Sequence, residues 1–184
     1  MPRIYGNKIM LREYREEDYE DIRKWVNNPE IVQYLSDIFL YPQSEKQTGN
    51  FLDMAMKEEW KGFIIADIEN ENYIGQIDFV DLDLKNGVGE LGVVIGDNNN
   101  HNKGYGTEAL SLFLDFGFDQ LRLHRIELVC WEHNERAQRV YQKLGFVKEE
   151  IRKKKLYRNS KYYDASCYGI LKKKEKEKKK NNKK

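Results

Sequence analysis

A turn with two glycines could bind an anion, given what precedes and follows it. A β-branched segment ends at Gly96, and an amphipathic segment begins at about residue 107. The turn and the helix start after it contribute seven residues: His101, Asn102, Lys103, Gly104, Tyr105, Gly106 and Thr107. Backbone N–H groups at a helix start are unpaired, and glycine lets the backbone approach a phosphate closely. The pattern therefore favours phosphate binding, with Lys103 adding positive charge.

The turn matches neither of two common phosphate-binding motifs. It lacks the Gly-Lys-Ser/Thr ending of a P-loop. It also lacks the third glycine of a dinucleotide-binding motif, because Glu and Ala occupy positions 108 and 109. An ordinary glycine-bearing loop is the alternative interpretation.

Asn134 and Tyr141 are a second pair of candidates. Seven positions make about two helical turns, so both side chains can face one cleft. A tyrosine hydroxyl can donate a proton, whereas asparagine is also a favourable helix N-cap. Ala137, Val140 and Leu144 continue an apolar stripe along the same helix, so Tyr141 could equally be a packed aromatic residue.

Predicted strands and helices position these residues. The pattern predicts four consecutive elements: a strand at 89–96, a helix from 107 to about 121, a strand at 125–131 and a helix at 134–144. Alternation in the first strand puts Glu90, Gly92 and Val94 on one face and the odd-numbered residues on the other.

The same periodicities predict the remaining elements. They are a strand at 8–14, helices at 16–27, 30–35 and 44–59, a hairpin of 63–68 with 73–84, and a hairpin of 151–157 with 161–172. Ser44 and Gln47 fit a capping box. Odd spacing predicts Asp78 and Asp81 on opposite faces of their strand, whereas Asp81 and Asp83 share one face.

Composition favours a single intracellular domain at residues 1–171. The chain of 184 residues is 40% hydrophobic and 12% aromatic, which suffices for a core. No apolar run approaches the ~20 residues of a membrane span, and the N-terminus lacks a secretory apolar region. Cys130 and Cys167 lack the spacing of metal ligands, so we expect no metal and reduced thiols in a cytoplasmic protein.

The charge is distributed unevenly. Residues 172–184 carry nine lysines and two glutamates, a net charge of +7. Because the whole chain has +1, residues 1–171 carry −6. We expect a disordered, solvated lysine-rich tail, and non-specific contact with RNA is the alternative.

Three motifs in order resemble the GCN5-related N-acetyltransferase (GNAT) superfamily. They are N-K-G-Y-G-T-E-A at 102–109, N-E-R-A at 134–137 and V-Y-Q-K-L-G-F at 140–146. Segments 10–18 and 25–30 resemble the ribosomal-protein and spermidine acetyltransferase branch. The resemblance covers about residues 9–171. It implies a single α/β (α+β) domain with a mixed, mostly antiparallel sheet of about seven strands, helices on its flanks, and a splayed strand pair that holds acetyl-CoA.

The resemblance also implies roles in cofactor binding. The turn at 101–107 would take the pyrophosphate. The strand residues Val93, Val94 and Ile95 would hold the pantetheine arm, and Asn134 and Ala137 would contact the cofactor. His101 departs from the Gln or Arg usual at its position, a departure for which Lys103 could compensate.

For catalysis, the resemblance implies that Tyr141 is the general acid. Some members place a carboxylate five residues before the helix-capping Asn, where this chain has Val129. We therefore take Glu90 as the base and Asp78 as the second choice. The spermidine enzymes also place an acid at the position of Asp78, which makes it a candidate for binding the acceptor amine. Three aromatic residues are further candidates for lining the acceptor pocket: Trp25, Tyr34 and Tyr41.

We expect an acetyl-CoA-dependent N-acetyltransferase that acts on a primary amine. The acidic body favours a small cationic amine of polyamine type, and the N-terminus of a ribosomal protein is the alternative acceptor. A non-catalytic CoA-binding protein or an RNA-binding protein stays open as a different class. We also expect a homodimer without a membrane or a specific nucleic-acid partner.

Overall fold

The computed structural model describes residues 3–57 and 60–173, which form one eight-stranded sheet in the order β1-β2-β3-β4-β5-β6-β8-β7. Its strands are β1 (Ile4–Tyr5), β2 (Ile9–Arg12), β3 (Gly62–Asp67), β4 (Tyr73–Asp83), β5 (Val88–Ile95), β6 (Arg125–Trp131), β7 (Val147–Arg158) and β8 (Lys161–Leu171). Neighbours are antiparallel except β5 and β6, which are parallel. The prediction of about seven strands missed β1, whose two residues are too few for alternation to reveal.

Five α-helices flank the sheet in the described residues. They are α1 (Tyr19–Val26), α2 (Pro29–Val32), α3 (Glu45–Met56), α4 (Tyr105–Asp115) and α5 (Glu135–Lys143). The predicted capping box is confirmed, because the Ser44 hydroxyl accepts the Gln47 N–H at 3.2 Å and the Gln47 side chain accepts the Ser44 N–H at 2.8 Å. Two predicted helices are shorter in the structure: the one expected at 30–35 ends at Val32, and the one expected to about 59 ends at Met56.

The helix predicted from 107 to about 121 is divided into two parts. It ends as an α-helix at Asp115, and a π-helical turn follows at Phe116–Gln120. Gly117 lets this turn pack closely on the sheet, because an added Cβ would lie 2.7 Å from Ile126 Cδ1. Apolar periodicity does not separate a single π turn from an α-helix, so the sequence did not reveal the change.

The two faces of the sheet carry separate hydrophobic cores. The core beside α4 contains Phe79, Leu91, Leu110, Phe113 and Ile126. The core beside α1 and α3 contains Met10, Ile22, Leu52, Ile64 and Val94. We call these sides the α4 face and the α1 face. Strand β5 alternates between them as predicted, so each of its residues faces one known layer.

The last hairpin is also confirmed, with β7 beginning at Val147, four residues earlier than predicted. After β8, Lys172 Nζ donates to the carbonyl of Phe118 at 2.6 Å and pairs with Asp119 at 2.9 Å. The predicted tail lies outside the described residues from position 174 onward. Within residues 3–57 and 60–173, no helix has the length and apolarity needed to cross a membrane.

Candidate active site

Strands β5 and β6 separate part-way along their length. Residues 88–90 of β5 pair with residues 125–127 of β6. Beyond that point β5 continues to Ile95 against β4, while β6 continues to Trp131 against β8. The backbone at 91–95 therefore has no partner in β6, as the predicted splay requires. An extended molecule that carries amide groups can hydrogen-bond there like an added strand.

The glycine turn begins α4 directly after this splayed part of β5. Gly104 is the N-cap of α4 with φ of +87°, and Asn102 has φ of +61°. An added Cβ at Gly104 would meet no atom nearer than Lys8 Nζ at 4.0 Å, and one at Gly106 would meet none nearer than Ile95 Cγ1 at 3.8 Å. The space over the turn is therefore open, and the helix N-terminus beneath it fits a phosphate group.

Cationic side chains from distant parts of the chain reach this turn. Lys8 Nζ donates to the carbonyl of Lys103 at 3.2 Å, and Glu108 accepts the Lys8 backbone N–H at 3.1 Å. Arg136 Nη2 lies 3.4 Å from His101 Nε2. Burial, followed by the charge of Arg136, lowers the pKa of His101 and favours the neutral ring beside the guanidinium.

Sequence reasoning missed both Lys8 and Arg136 as candidates for binding the anion. Lys8 lies more than ninety positions before the turn, and no local pattern links the two. Arg136 stands inside the N-E-R-A motif, two residues after the helix cap, so the motif itself could have indicated it. Arg136 in α5 thus places a guanidinium beside position 101.

Asn134 caps α5, and Tyr141 lies two turns later. Asn134 Oδ1 accepts the Ala137 N–H at 3.3 Å. Tyr141 is 8% exposed, and its ring centroid lies 5.8 Å from that of Phe146 and 6.0 Å from that of Tyr168. Burial raises the pKa of Tyr141, so its hydroxyl is protonated near neutral pH. A protonated hydroxyl can donate to a bound group.

The family model for the acetyltransferase (GNAT) domain matches residues 8–147. This chain belongs to the GNAT family. The uncharacterized N-acetyltransferase YoaA of Bacillus subtilis is 28% identical over 95% of this chain and 99% of its own length. Spermidine N(1)-acetyltransferase of Escherichia coli K12 is 24% identical over 87% of this chain and 84% of its own length.

A solved structure shows the same fold. The spermidine N-acetyltransferase of Vibrio cholerae, in complex with CoA and spermine, aligns with a TM-score of 0.79 and 24% identity over 90% of this chain and 96% of its own. This GNAT protein is an acetyl-CoA-dependent acetyltransferase, and acetyl-CoA is its cofactor. The open space over the glycine turn and the unpaired edge of β5 fit a pyrophosphate and an amide-bearing arm, respectively.

The candidate carboxylates lie on the α1 face. Asp78 pairs with Gly92 and Asp81 pairs with Glu90, because Val80 forms a bulge between them. The prediction that Asp78 and Asp81 point to opposite faces is therefore wrong. A bulge inserts one extra residue, so an odd separation in sequence becomes an even one in the sheet.

Asp78 and Glu90 differ in their surroundings. Asp78 is 6% exposed, and burial raises its pKa to about 7, an effect that the indole of Trp60 partly opposes. Glu90 is half-buried, and burial raises its pKa, followed by the charges of Glu127 and Asp81. A perturbed acid in this position is a candidate for proton exchange.

The three aromatic residues predicted to line the acceptor pocket occupy different places. Trp25 is 3% exposed and donates its indole N–H to the Tyr73 hydroxyl at 2.8 Å, which makes it part of the core of the α1 face. Tyr41 is 79% exposed on the surface. Tyr34 stacks on His133 with ring centroids 5.2 Å apart.

Tyr34 also lines a cavity of about 490 Å³ between α2, the segment after β5 and the start of α5. The cavity is lined by Glu30, Gln33, Tyr34, Asn98, His101, His133, Asn134, Glu135 and Arg136. It thus brings His101 and Asn134, both predicted to bind the cofactor, next to a predicted acceptor residue. Among residues 3–57 and 60–173, no group of three potential metal ligands occurs.

Proposed function

We propose that this GNAT protein transfers acetyl from acetyl-CoA directly to a small cationic amine of polyamine type. The observation that carries the proposal is a row of carboxylates across three adjacent strands of the α1 face: Asp78, Asp81, Glu90 and Glu127. Strands lie about 4.8 Å apart, so these groups share one surface. Their mutual repulsion, which contributes to the raised pKa of Glu90, favours a ligand with more than one positive charge. The similarity to spermidine acetyltransferases supports the same acceptor class.

Acetyl-CoA supplies the activated acetyl group in this proposal. The turn at 101–107 holds its phosphates, and backbone groups of Val93, Val94 and Ile95 hold the arm beside the splay. Backbone N–H groups there also stabilise the negative oxygen that develops during attack by the amine. Tyr141 donates a proton to the departing thiolate, and a carboxylate of the α1 face takes one from the amine.

An acceptor screen tests the proposal. The purified full-length chain is assayed by thiol release with spermidine, spermine, a monoamine and peptides with ribosomal-protein N-termini. We expect turnover of the polyamines at a lower KM than that of the monoamine. Asp81→Asn should raise the KM for spermidine about tenfold, because one attractive charge is lost. Glu17→Gln, which changes an exposed carboxylate in the segment before α1, is the control.

Other outcomes of the same screen separate the alternatives. Turnover of peptides without turnover of spermidine would assign the protein to N-terminal acetylation. Binding of CoA without turnover of any amine would indicate a non-catalytic CoA-binding protein. The homodimer and the cytoplasmic location stay predictions, which sedimentation and fractionation would test.

A further inference from the structure

Two buried polar groups near the carboxylate row have no hydrogen-bond partner in the described residues. They are the hydroxyl of Tyr14, in the segment after β2, and the indole Nε1 of Trp60, in the segment before β3. Buried donors are normally paired, because an unpaired one loses its hydration without compensation. Unpaired buried donors therefore indicate a place where a further group can supply the missing acceptor.

Both groups converge on Asp78 in β4. Besides burial, the charge of Asp78 raises the pKa of Tyr14, and the Trp60 indole opposes the burial that raises the pKa of Asp78. Neither the Tyr14 hydroxyl nor the indole N–H makes a hydrogen bond in the described residues. The buried ion pair of Arg12 with Asp18 at 2.7 Å fixes the segment that carries Tyr14, with both side chains 2% exposed. Burial, followed by the Asp78 charge, raises the pKa of Tyr14, so it is a hydrogen donor near neutral pH.

Two glycines let the neighbouring strands pack closely around Asp78, which is 6% exposed. An added Cβ at Gly62 would lie 2.5 Å from Asp78 Cβ, so β3 packs tightly against this residue. On the other side, an added Cβ at Gly92 would lie 3.0 Å from Val80 Cγ1 and 3.4 Å from Asp78 Oδ1. Gly92 thus lets the backbone of β5 approach this carboxylate oxygen closely.

The register places Asp78 nearer than Glu90 to the splayed part of β5. Glu90 pairs with Glu127 where β5 and β6 are still joined. Asp78 pairs with Gly92, which lies beyond the separation and directly before the strand residues proposed to hold the arm of acetyl-CoA. An amine that approaches the splay from the α1 face therefore passes the Asp78 carboxylate.

We propose that Asp78, rather than Glu90, accepts the proton of the acceptor amine, and that Trp60, whose indole N–H is unpaired in the described residues, is a positioning residue for the ionised carboxylate. The inference rests on the proposed acetyl transfer to an amine. In the proton step, one ammonium N–H bond breaks and one O–H bond forms on Asp78, leaving a neutral amine and a neutral carboxyl group. The amine nitrogen then forms the amide C–N bond while the thioester C–S bond breaks. Tyr141 gives its proton to the departing sulfur, which leaves as the thiol, and regains a proton that the new amide nitrogen loses. Asp78 returns its own proton to solvent.

Titration of the Asp78 carboxyl carbon by NMR, without any substrate, is the first test. We expect a transition near pH 7 that is absent from Asp78→Asn. Trp60→Phe should shift it to higher pH, because it removes an indole that lowers the pKa of this carboxyl group. An unshifted transition in Trp60→Phe, or an ordinary acidic transition in the unmodified chain, overturns the proposal.

The second test measures kcat/KM against pH with spermidine as the acceptor. Asp78 accepts a proton only when ionised, so kcat/KM should rise as the pH increases through about 7. Asp78→Asn should lower it by about 10²–10⁴-fold, and Trp60→Phe should move the rise to higher pH. The groups that also face this cluster are Tyr73 and Asp18, through Tyr14, and Glu90 and Asp81 on the same face. Asp83→Asn, an exposed change on the same strand, is the control.

A greater loss in Glu90→Gln than in Asp78→Asn would assign the proton to Glu90 and overturn the inference. If spermidine is inert but a peptide is acetylated, the proposed acceptor fails, and the same variants assayed with that peptide decide the role of Asp78. If Asp78→Asn does not fold, as judged by its melting curve, the pH profile of Trp60→Phe decides instead.

Discussion

Tyr141 is both a core residue and the proposed proton donor. Its ring packs against Phe146 and Tyr168, while burial raises the pKa of its hydroxyl and keeps it protonated. The ring and the hydroxyl therefore have separable purposes, which a substitution that removes only the oxygen can distinguish. At the residue scale, Tyr141 thus combines a packing role for its ring with a proposed catalytic role for its hydroxyl.

We expect Tyr141→Phe to lower kcat by about 10²–10⁴-fold, the usual contribution of a general acid. Because the ring remains, CoA affinity and melting temperature should be nearly unchanged. The measurements are steady-state kinetics, calorimetry with CoA and thermal unfolding. A lower melting temperature with unchanged kcat would instead assign Tyr141 a structural role only.

At the scale of elements, the two glycines at the start of α4 differ in what a substitution would do. A side chain at Gly104 strains the backbone, whereas one at Gly106 blocks the approach of a ligand. Gly104 needs its left-handed conformation, so any other residue there is strained. Gly106 lies in the first turn of α4 without positive φ, and its nearest neighbour would be the Ile95 side chain. A side chain at position 106 therefore extends into the open space over the turn with little cost to the fold.

Gly106→Val should weaken CoA binding by about tenfold or more, since the branched side chain blocks close approach of a phosphate to the backbone. Its melting temperature should stay close to that of Gly49→Val, a control in α3 where an added Cβ meets no atom within 4 Å. Unchanged affinity by calorimetry in folded Gly106→Val would contradict the placement of the pyrophosphate at this turn.

At the scale of the whole molecule, charge is separated between the body and the end of the chain. Residues 172–184 carry a net charge of +7, while residues 1–171 carry −6. Lys172 contacts Phe118 and Asp119 and so belongs to the folded body. A truncation that removes the charge without disturbing the body therefore has to begin after residue 173.

Deletion of residues 174–184 should leave kcat for acetyl transfer unchanged and abolish any salt-sensitive retention on an RNA column. The physical reason is that lysine-rich segments bind polyanions by counterion release, whereas the proposed site lies within the sheet. Kinetics and column retention at two salt concentrations are the measurements. If the full-length chain turns over no amine but binds RNA, the interpretation of this protein as an enzyme with an accessory tail is wrong.

The sequence alone determined most of the elements and the motifs of this protein. Strand β5 alternates as predicted, Ser44 and Gln47 form the predicted capping box, and Asn134 caps α5. These features depend on residues within a few positions of one another, where periodicity and capping chemistry act directly. The family motifs, likewise local, were sufficient to predict the fold and the cofactor.

Only the tertiary structure decided which distant groups meet. The bulge at Val80 put Asp78 and Asp81 on one face, and no residue type in the strand signals such an insertion. Lys8 and Arg136 reached the glycine turn, and Tyr14 and Trp60 reached Asp78, from elements far apart in the chain. Burial then set the pKa of Asp78, because desolvation depends on every segment packed around a group and not on its neighbours in sequence.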